Sequence, residues 1–203
     1  MRIYLFFILL GYLCGSFRFG YLLPRLFLGV DVTAVSDDGN PGVANAFKYG
    51  NVPVGIAALL AELSKGTIPV ALAVRAGLID NPAFALVMIA PVVGHAFPIF
   101  HRSQGGKAIA VSFGTLIGLF PVWRPLAILI FWYLFFTLVF VITPHLQRSV
   151  VTFSAFAVHT ALTVQNMTLI LGCVLMSVIV IWKHAVKYQG EKMEYHPVWR
   201  KRF

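Results

Sequence analysis

The sequence predicts an all-α polytopic membrane protein of about seven transmembrane helices, with the N-terminus outside and the C-terminus cytoplasmic. Three observations carry this expectation. Of 203 residues, 59% are hydrophobic and only 11% charged, whereas a soluble domain carries roughly 25% charged residues. Mean hydropathy is +0.84. The apolar residues gather into runs near the ~20 needed to cross a bilayer, and the basic residues between runs are unevenly shared in the manner of the positive-inside rule.

Taken in order, the runs predict helices near 3–24, 53–75, 82–100, 107–121, 125–143, 150–164 and 166–183. Arg2 before the run from Ile3 to Cys14 resembles a leader, but no small-x-small cleavage pattern follows and further spans do, so the run reads as the first helix. The fourth and sixth runs are short, which leaves six spans or a re-entrant segment as alternatives. Seven spans with the N-terminus outside place Arg25, Lys48, Arg102, Lys107, Arg148, Lys183, Lys187, Lys192, Arg200, Lys201 and Arg202 on the cytoplasmic side. Only Arg2, Arg75 and Arg124 fall outside, with Arg18 and Lys65 inside helices. An odd number of crossings fits that asymmetry. No internal repeat is visible, and residues 1–203 read as one domain.

The net charge is +9, but the basic residues are scattered between apolar runs with no recognition motif, so nucleic acid is not an expected partner. Anionic lipid headgroups and phosphorylated substrates are. Cys14 and Cys173 sit within apolar runs and read as packing. No metal site is expected, because the histidines show no metal-ligand spacing.

Two glycine-rich clusters carry the chemistry. The first is Asp37-Asp38-Gly39-Asn40-Pro41-Gly42-Val43-Ala44-Asn45, followed by Lys48. Glycine permits close backbone approach and asparagine supplies amide donors, so the loop suits an anion, with an ordinary turn as the plain alternative. The second is Gly94-His95-Ala96-Phe97-Pro98 leading to Gln104-Gly105-Gly106-Lys107, which opens a helix at Ala108. Converging N–H groups, a helix N-terminus and a lysine make phosphate-binding chemistry. It is not a Walker A loop, since Ala108 stands where that motif needs a hydroxyl.

Three further features stand apart. Glu62 and Lys65 lie three residues apart on one helix face and read first as a structural ion pair. Arg148, Ser149, Thr152 and Ser154 cluster in the sixth run, where hydroxyls more often bond backbone carbonyls than ligands. His184 ends the seventh run, where an imidazole favours the helix dipole.

In combination, these pieces resemble the bacterial acyl-phosphate:glycerol-3-phosphate acyltransferases, a family of small seven-helix inner-membrane enzymes, over nearly the whole chain. Gly15-Ser16 and Gly20 look like the family's Gly-Ser-Ile-Pro-Phe-Gly. The likeness continues with Asp31; Gly39-Asn40, Gly42 and Asn45 then follow its Gly-Ser-Gly-Asn-Ile-Gly-Ala-Thr-Asn loop, and Lys65-Gly66 with Pro69 its Lys-Gly-x-x-Pro pattern. The closest match is Gly94-His95, Phe97-Pro98 and Gly105-Gly106-Lys107, with Gly114 beyond.

The resemblance implies transfer of a fatty acyl group from acyl phosphate to the sn-1 hydroxyl of glycerol 3-phosphate, giving lysophosphatidic acid. It implies no cofactor, no nucleophilic or basic side chain, and no partner beyond the two substrates and membrane lipids. It assigns substrate or phosphate binding to Ser16, Gly39, Asn40, Gly42, Asn45, Lys48, His95, Gly105, Gly106, Lys107, Arg148, Ser154 and His184. The other readings are a divergent paralogue with another phosphorylated substrate, or an inactive lipid-phosphate binder.

The chain departs from the family pattern at named positions. Asp37-Asp38 stands for Gly-Ser, Ala44 for threonine, Arg18 for proline, Glu62 for aspartate, Lys48 for arginine, Val151 for serine and Lys187 for asparagine. Two anions about 4 Å apart repel by about 4 kcal/mol at an effective dielectric near 20. Asp38 therefore needs a cation before a phosphate can approach, and the sequence offers Arg18, Lys48 or Lys187.

Overall fold

The computed structural model describes residues 1–101, 105–188 and 190–198. Arg102, Gln104, Arg200, Lys201 and Arg202, used in the charge count and the second cluster, lie outside the described residues.

The described chain forms ten α-helices and two short strands. These are α1 (Arg2–Ser16), α2 (Phe19–Leu28), α3 (Val32–Val35), α4 (Val43–Tyr49), α5 (Val52–Arg75), α6 (Phe84–Ala96), α7 (Ile109–Ile117), α8 (Arg124–Leu134), α9 (His145–Thr163) and α10 (Met167–Ala185). Among the described helices α5 and α10 are long and apolar enough to cross a membrane, and the bent pair α1 and α2 makes a third if taken as one span.

Three expectations are corrected. The first run is not one helix: it breaks between Ser16 and Phe19 and bends by 42°. Lys65 accommodates the break, its buried ammonium donating to the carbonyls of Gly15 (2.9 Å) and Phe17 (2.5 Å). Those groups need a partner once the helical ladder is interrupted. Second, the fold is not purely helical. After a π-helical turn at Phe135–Val139 the chain becomes strand β1 (Phe140–Thr143), antiparallel to β2 (Glu194–Pro197) with Phe140 opposite Pro197. Phe-Val-Ile-Thr ahead of Pro144 is β-branched and aromatic, and an apolar run alone does not separate such a strand from a helix end. Third, the fourth run shortens to the nine residues of α7, about 14 Å at 1.5 Å per residue.

Helices in an apolar medium gain little from burying oil against oil, so small residues that admit close backbone approach hold them together. A Cβ on Gly15 would sit 2.2 Å from the Pro91 carbonyl oxygen, and one on Gly94 2.2 Å from that of Tyr12, so α1 and α6 pack backbone to backbone. The same holds for α5 and α7, where a Cβ on Gly114 would meet the Leu63 carbonyl oxygen at 2.1 Å. Outside these contacts Leu5, Leu9, Leu13, Ile56, Leu60 and Ile68 remain exposed.

Glu62, Lys65 and His95 cross-link α5 and α6 beneath the helix break. Glu62 Oε2 lies 2.7 Å from Lys65 Nζ and 3.1 Å from His95 Nδ1, and the Gly20 N–H donates to Glu62 Oε1 at 3.3 Å. The expected ion pair thus also binds the start of α2.

Candidate functional site

The polar groups gather where α3, α4 and the segment before α7 meet the start of α9 and the end of α10. The Asp31 carboxylate caps α3, accepting from the Thr33 hydroxyl (2.6 Å) and from the N–H groups of Thr33 and Ala34. The chain then turns at Gly39, whose φ of +56° is left-handed and suits glycine best. Asp38 closes this turn on itself: its Oδ1 accepts from the Asn40 N–H (3.1 Å) and from Asn45 Nδ2 (2.9 Å). Asn45 Nδ2 also donates to the Asn40 carbonyl at 2.8 Å. Both amide hydrogens of Asn45 are therefore spent inside the loop.

The cation that meets Asp38 is none of the three the sequence offered as side-chain partners. Lys107 Nζ lies 2.9 Å from Asp38 Oδ2, while Lys187 donates to the Asp38 backbone carbonyl at 3.0 Å and Lys48 pairs with Asp37 at 3.0 Å on the surface. Burial pushes the Asp38 carboxyl up, but hydrogen bonds from Lys107 and Asn45 and the Lys107 charge outweigh it and hold the group at about 2. The lysine assigned to phosphate is thus already engaged by an anion of the chain.

The glycines before Lys107 do something other than offer two free amides. The Gly106 N–H donates to the His95 carbonyl at 3.2 Å, and a Cβ on Gly106 would come 2.2 Å from His95 Nε2. Gly105 is as tight, with a Cβ position 2.1 Å from the Ala96 carbonyl oxygen. The pair lets the segment lie against the end of α6 and delivers Lys107 to the loop. Ala108 then takes the left-handed conformation (φ 62°) at the mouth of α7, a strain of about 1 kcal/mol for a residue with a Cβ.

Below the Asp38–Lys107 pair lies a cavity of about 630 Å³. Its head is lined by Asp38, Asn40, Asn45, Lys107 and His145, with Gly42 and Ala44 in its wall; its tail runs past Leu59, Leu63, Phe113, Ile117, Leu126 and Ile130 between α5, α7 and α8. Glu62 and His95 touch it from the buried ion network. A second cavity of about 560 Å³ shares Asp38, Lys107 and His145 and adds Asp37, Lys187 and Glu191. A site with a charged end and a long apolar bore takes a ligand with an anionic head and a hydrocarbon tail.

The sequence-assigned residues divide. Asn40, Gly42, Asn45, His95 and Lys107 line the large cavity, and Gly39 and Gly105 face a neighbouring one. His184 is fully buried, its Nδ1 2.8 Å from the Val180 carbonyl oxygen and its Nε2 without a hydrogen-bond partner among the described residues. Ser16 supports the helix break instead, donating to the Tyr12 carbonyl (2.8 Å) and accepting from the Ile99 N–H (3.3 Å). Ser154 is exposed and donates to the Val150 carbonyl at 2.9 Å. Arg148 is half-buried and lines none of the cavities described here. His145 is the residue sequence reasoning passed over: only its place at the head of α9, one turn before Arg148, signalled it.

Fold and site define a class, an apolar helical bundle that sets a charged loop cluster over a hydrocarbon-lined bore. The comparisons name the family. The family model described as glycerol-3-phosphate acyltransferase matches residues 5–190, and this chain belongs to that family. A glycerol-3-phosphate acyltransferase of Pseudomonas syringae pv. tomato is 33% identical over 179 residues, 86% of each chain. That of Myxococcus xanthus is 42% identical over 115 residues, 56% of this chain, and there the match spans only 59% of the relative's length. The fold is shared with a crystal structure of PlsY, an integral membrane glycerol 3-phosphate acyltransferase, in its glycerol 3-phosphate form. The TM-score is 0.77 at 24% identity, covering 90% of this chain and 88% of that one.

Proposed function

We propose that the chain is a membrane acyltransferase that moves a fatty acyl group from acyl phosphate to the sn-1 hydroxyl of glycerol 3-phosphate, yielding lysophosphatidic acid and inorganic phosphate. The observation that carries this reading is the large cavity, whose charged head at Lys107 continues into an apolar bore. Family membership supports it. The acyl chain occupies the bore and Lys107 holds a phosphate at its head.

The acceptor oxygen attacks the acyl carbonyl carbon, the bond from that carbon to the phosphate oxygen breaks, and phosphate leaves with the electron pair. The hydroxyl proton passes to a phosphate oxygen. Acyl phosphate carries its own leaving group, so positioning and charge stabilisation by Lys107 and the loop supply the rate. Of the thirteen residues assigned from the sequence, Gly39, Asn40, Gly42, Asn45, His95, Gly105 and Lys107 act at the cavities, while Ser16, Lys48, Gly106, Arg148, Ser154 and His184 contribute through the fold. The chain works as one domain in a bacterial inner membrane, with seven crossings, the N-terminus outside and the loop cluster cytoplasmic.

The Asp38–Lys107 ion pair favours one second reading, an acceptor other than glycerol 3-phosphate that tolerates a carboxylate at the head of the cavity. The test is purified protein in lipid vesicles with acyl phosphate and labelled glycerol 3-phosphate. Labelled lysophosphatidic acid is expected from the wild type and at least a hundredfold less from Lys107→Ala, the order of loss for a charge-stabilising group. No labelled product from folded wild type refutes the acyltransferase reading for this acceptor.

A further inference from the structure

On the other side of the Gly39–Pro41 turn from the acyl cavity lies a separate pocket of about 380 Å³, lined by Arg18, Thr33, Gly39, Pro41, Gly105, Lys183 and Lys187. Three of these are cations, and none is a carboxylate. The size falls at the small end of the ~300–1,000 Å³ usual for small-ligand sites.

The cations are held in place by the fold. Arg18 is only 4% exposed, standing where the break between α1 and α2 turns its guanidinium over the Tyr21 ring, 4.7 Å from the centroid. Lys183 is fixed at the end of α10 by donating to the Ala96 carbonyl (3.0 Å), its ammonium 5.1 Å from the centre of the Phe97 ring. Lys187, one turn later, donates to the Asp38 carbonyl. Each ammonium has three hydrogens, and each of these carbonyls takes one. The Thr33 hydroxyl gives its hydrogen to Asp31, so recognition in this pocket is by charge.

Burial holds the Lys187 ammonium below its usual value; the Asp38 charge opposes the fall and the Lys107 charge adds to it. An anion in the pocket would relieve the crowding of like charge. Lysine and arginine clusters are matched by phosphate oxygens, the arginine fork donating to two of them at once.

We propose that this pocket is a second anion site that binds a phosphate group, on the far side of the Gly39–Pro41 turn from the Lys107 site and joined to it at Lys187, which lines both. The occupant is either free inorganic phosphate or the phosphate of an anionic lipid headgroup. The inference stands on the pocket itself and does not rest on the acyltransferase reading.

The experiment is equilibrium binding of labelled inorganic phosphate to the full chain in uncharged detergent, compared across variants with matched elution and circular dichroism. Phosphate should bind in two classes of site: Arg18→Gln with Lys183→Gln is expected to weaken one class at least tenfold, whereas Lys107→Gln weakens the other and changes that first class less than threefold. Lys183→Gln alone, which leaves the buried Arg18 in place, is expected to weaken it about fivefold and serves if the double variant does not fold. Competition names the source: displacement by phosphatidic acid at equimolar concentration but not by phosphatidylcholine marks a lipid headgroup, and its failure marks free phosphate. Wild-type affinity for both classes in the double variant or in Lys183→Gln, or loss of both classes in Lys107→Gln, overturns the proposal.

Discussion

Replacing Asp38 with serine removes the anion that now holds Lys107, and the consequence for substrate binding can be worked from the structure. A carboxyl drawn from 3.8 to about 2 corresponds to roughly 2.5 kcal/mol of preferential interaction with its charged form. With 40% of the Asp38 side chain exposed, solvent screening reduces this to about 1 kcal/mol. Asn45 and the Asn40 N–H share this interaction with Lys107, so about 1 kcal/mol is the most an incoming phosphate must replace to take Lys107, and its removal is worth at most about fivefold in affinity. The bare repulsion of about 4 kcal/mol between two anions is an overestimate here, because Lys107 already neutralises the carboxylate at 2.9 Å. Asp38→Ser is therefore expected to lower the KM for glycerol 3-phosphate by up to about fivefold, and Asp38→Asn, which removes the charge but retains an amide, by a similar factor. The assay is initial-rate formation of lysophosphatidic acid in vesicles at fixed acyl phosphate. An unchanged or higher KM in both variants would refute the argument that Asp38 competes with the acceptor for Lys107.

The pH dependence of the same pair has a defined sign. Because the folded Asp38 carboxyl sits at about 2, below its usual 3.8, its stabilising contribution is complete above about 3.8 and is lost as pH falls through about 2. Wild type and Asp38→Asn should differ in unfolding midpoint by the same amount at pH 6 and pH 8, and converge only in strong acid; a gap that closes near pH 6 would contradict this. Gly106→Ala drives a methyl against His95 Nε2 at 2.2 Å, and overpacking of this kind costs about 1–3 kcal/mol. It should appear as a lower unfolding temperature in detergent together with reduced transferase activity. Glu62→Gln leaves the buried Lys65 ammonium without its carboxylate at 2.7 Å and should destabilise the protein by about 3–5 kcal/mol, read as a loss of folded yield. A shift near zero would show that the Gly15 and Phe17 carbonyls and His95 Nδ1, 2.8 Å from the ammonium, satisfy the lysine without the carboxylate.

Much of this was legible in the amino-acid order. The apolar runs located α5 and α10 to within about two residues, because a long apolar segment in lipid has no low-energy form other than a helix. The glycine-rich clusters marked the polar end of the bundle, since glycine and asparagine at those spacings suit little else than close turns. The strand Phe140–Thr143 was hidden, because its partner at Glu194–Pro197 lies some fifty residues away and an isolated β-branched run reads equally well as a helix end.

Composition and local order specify an apolar helical bundle, a structural Glu62–Lys65 pair, two glycine-rich loops and the family those loops share. Which charges meet depends on how the helices pack. Asp38 and Lys107 are 69 residues apart, and Lys187 reaches Asp38 across 149. No local pattern announces such pairs, because ionic attraction depends on distance in space and on the dielectric around it, and both are set only when the helices pack. The same packing aimed Arg18 and Lys183, which read as scattered positive charge in the chain, into one pocket beside the Gly39 turn.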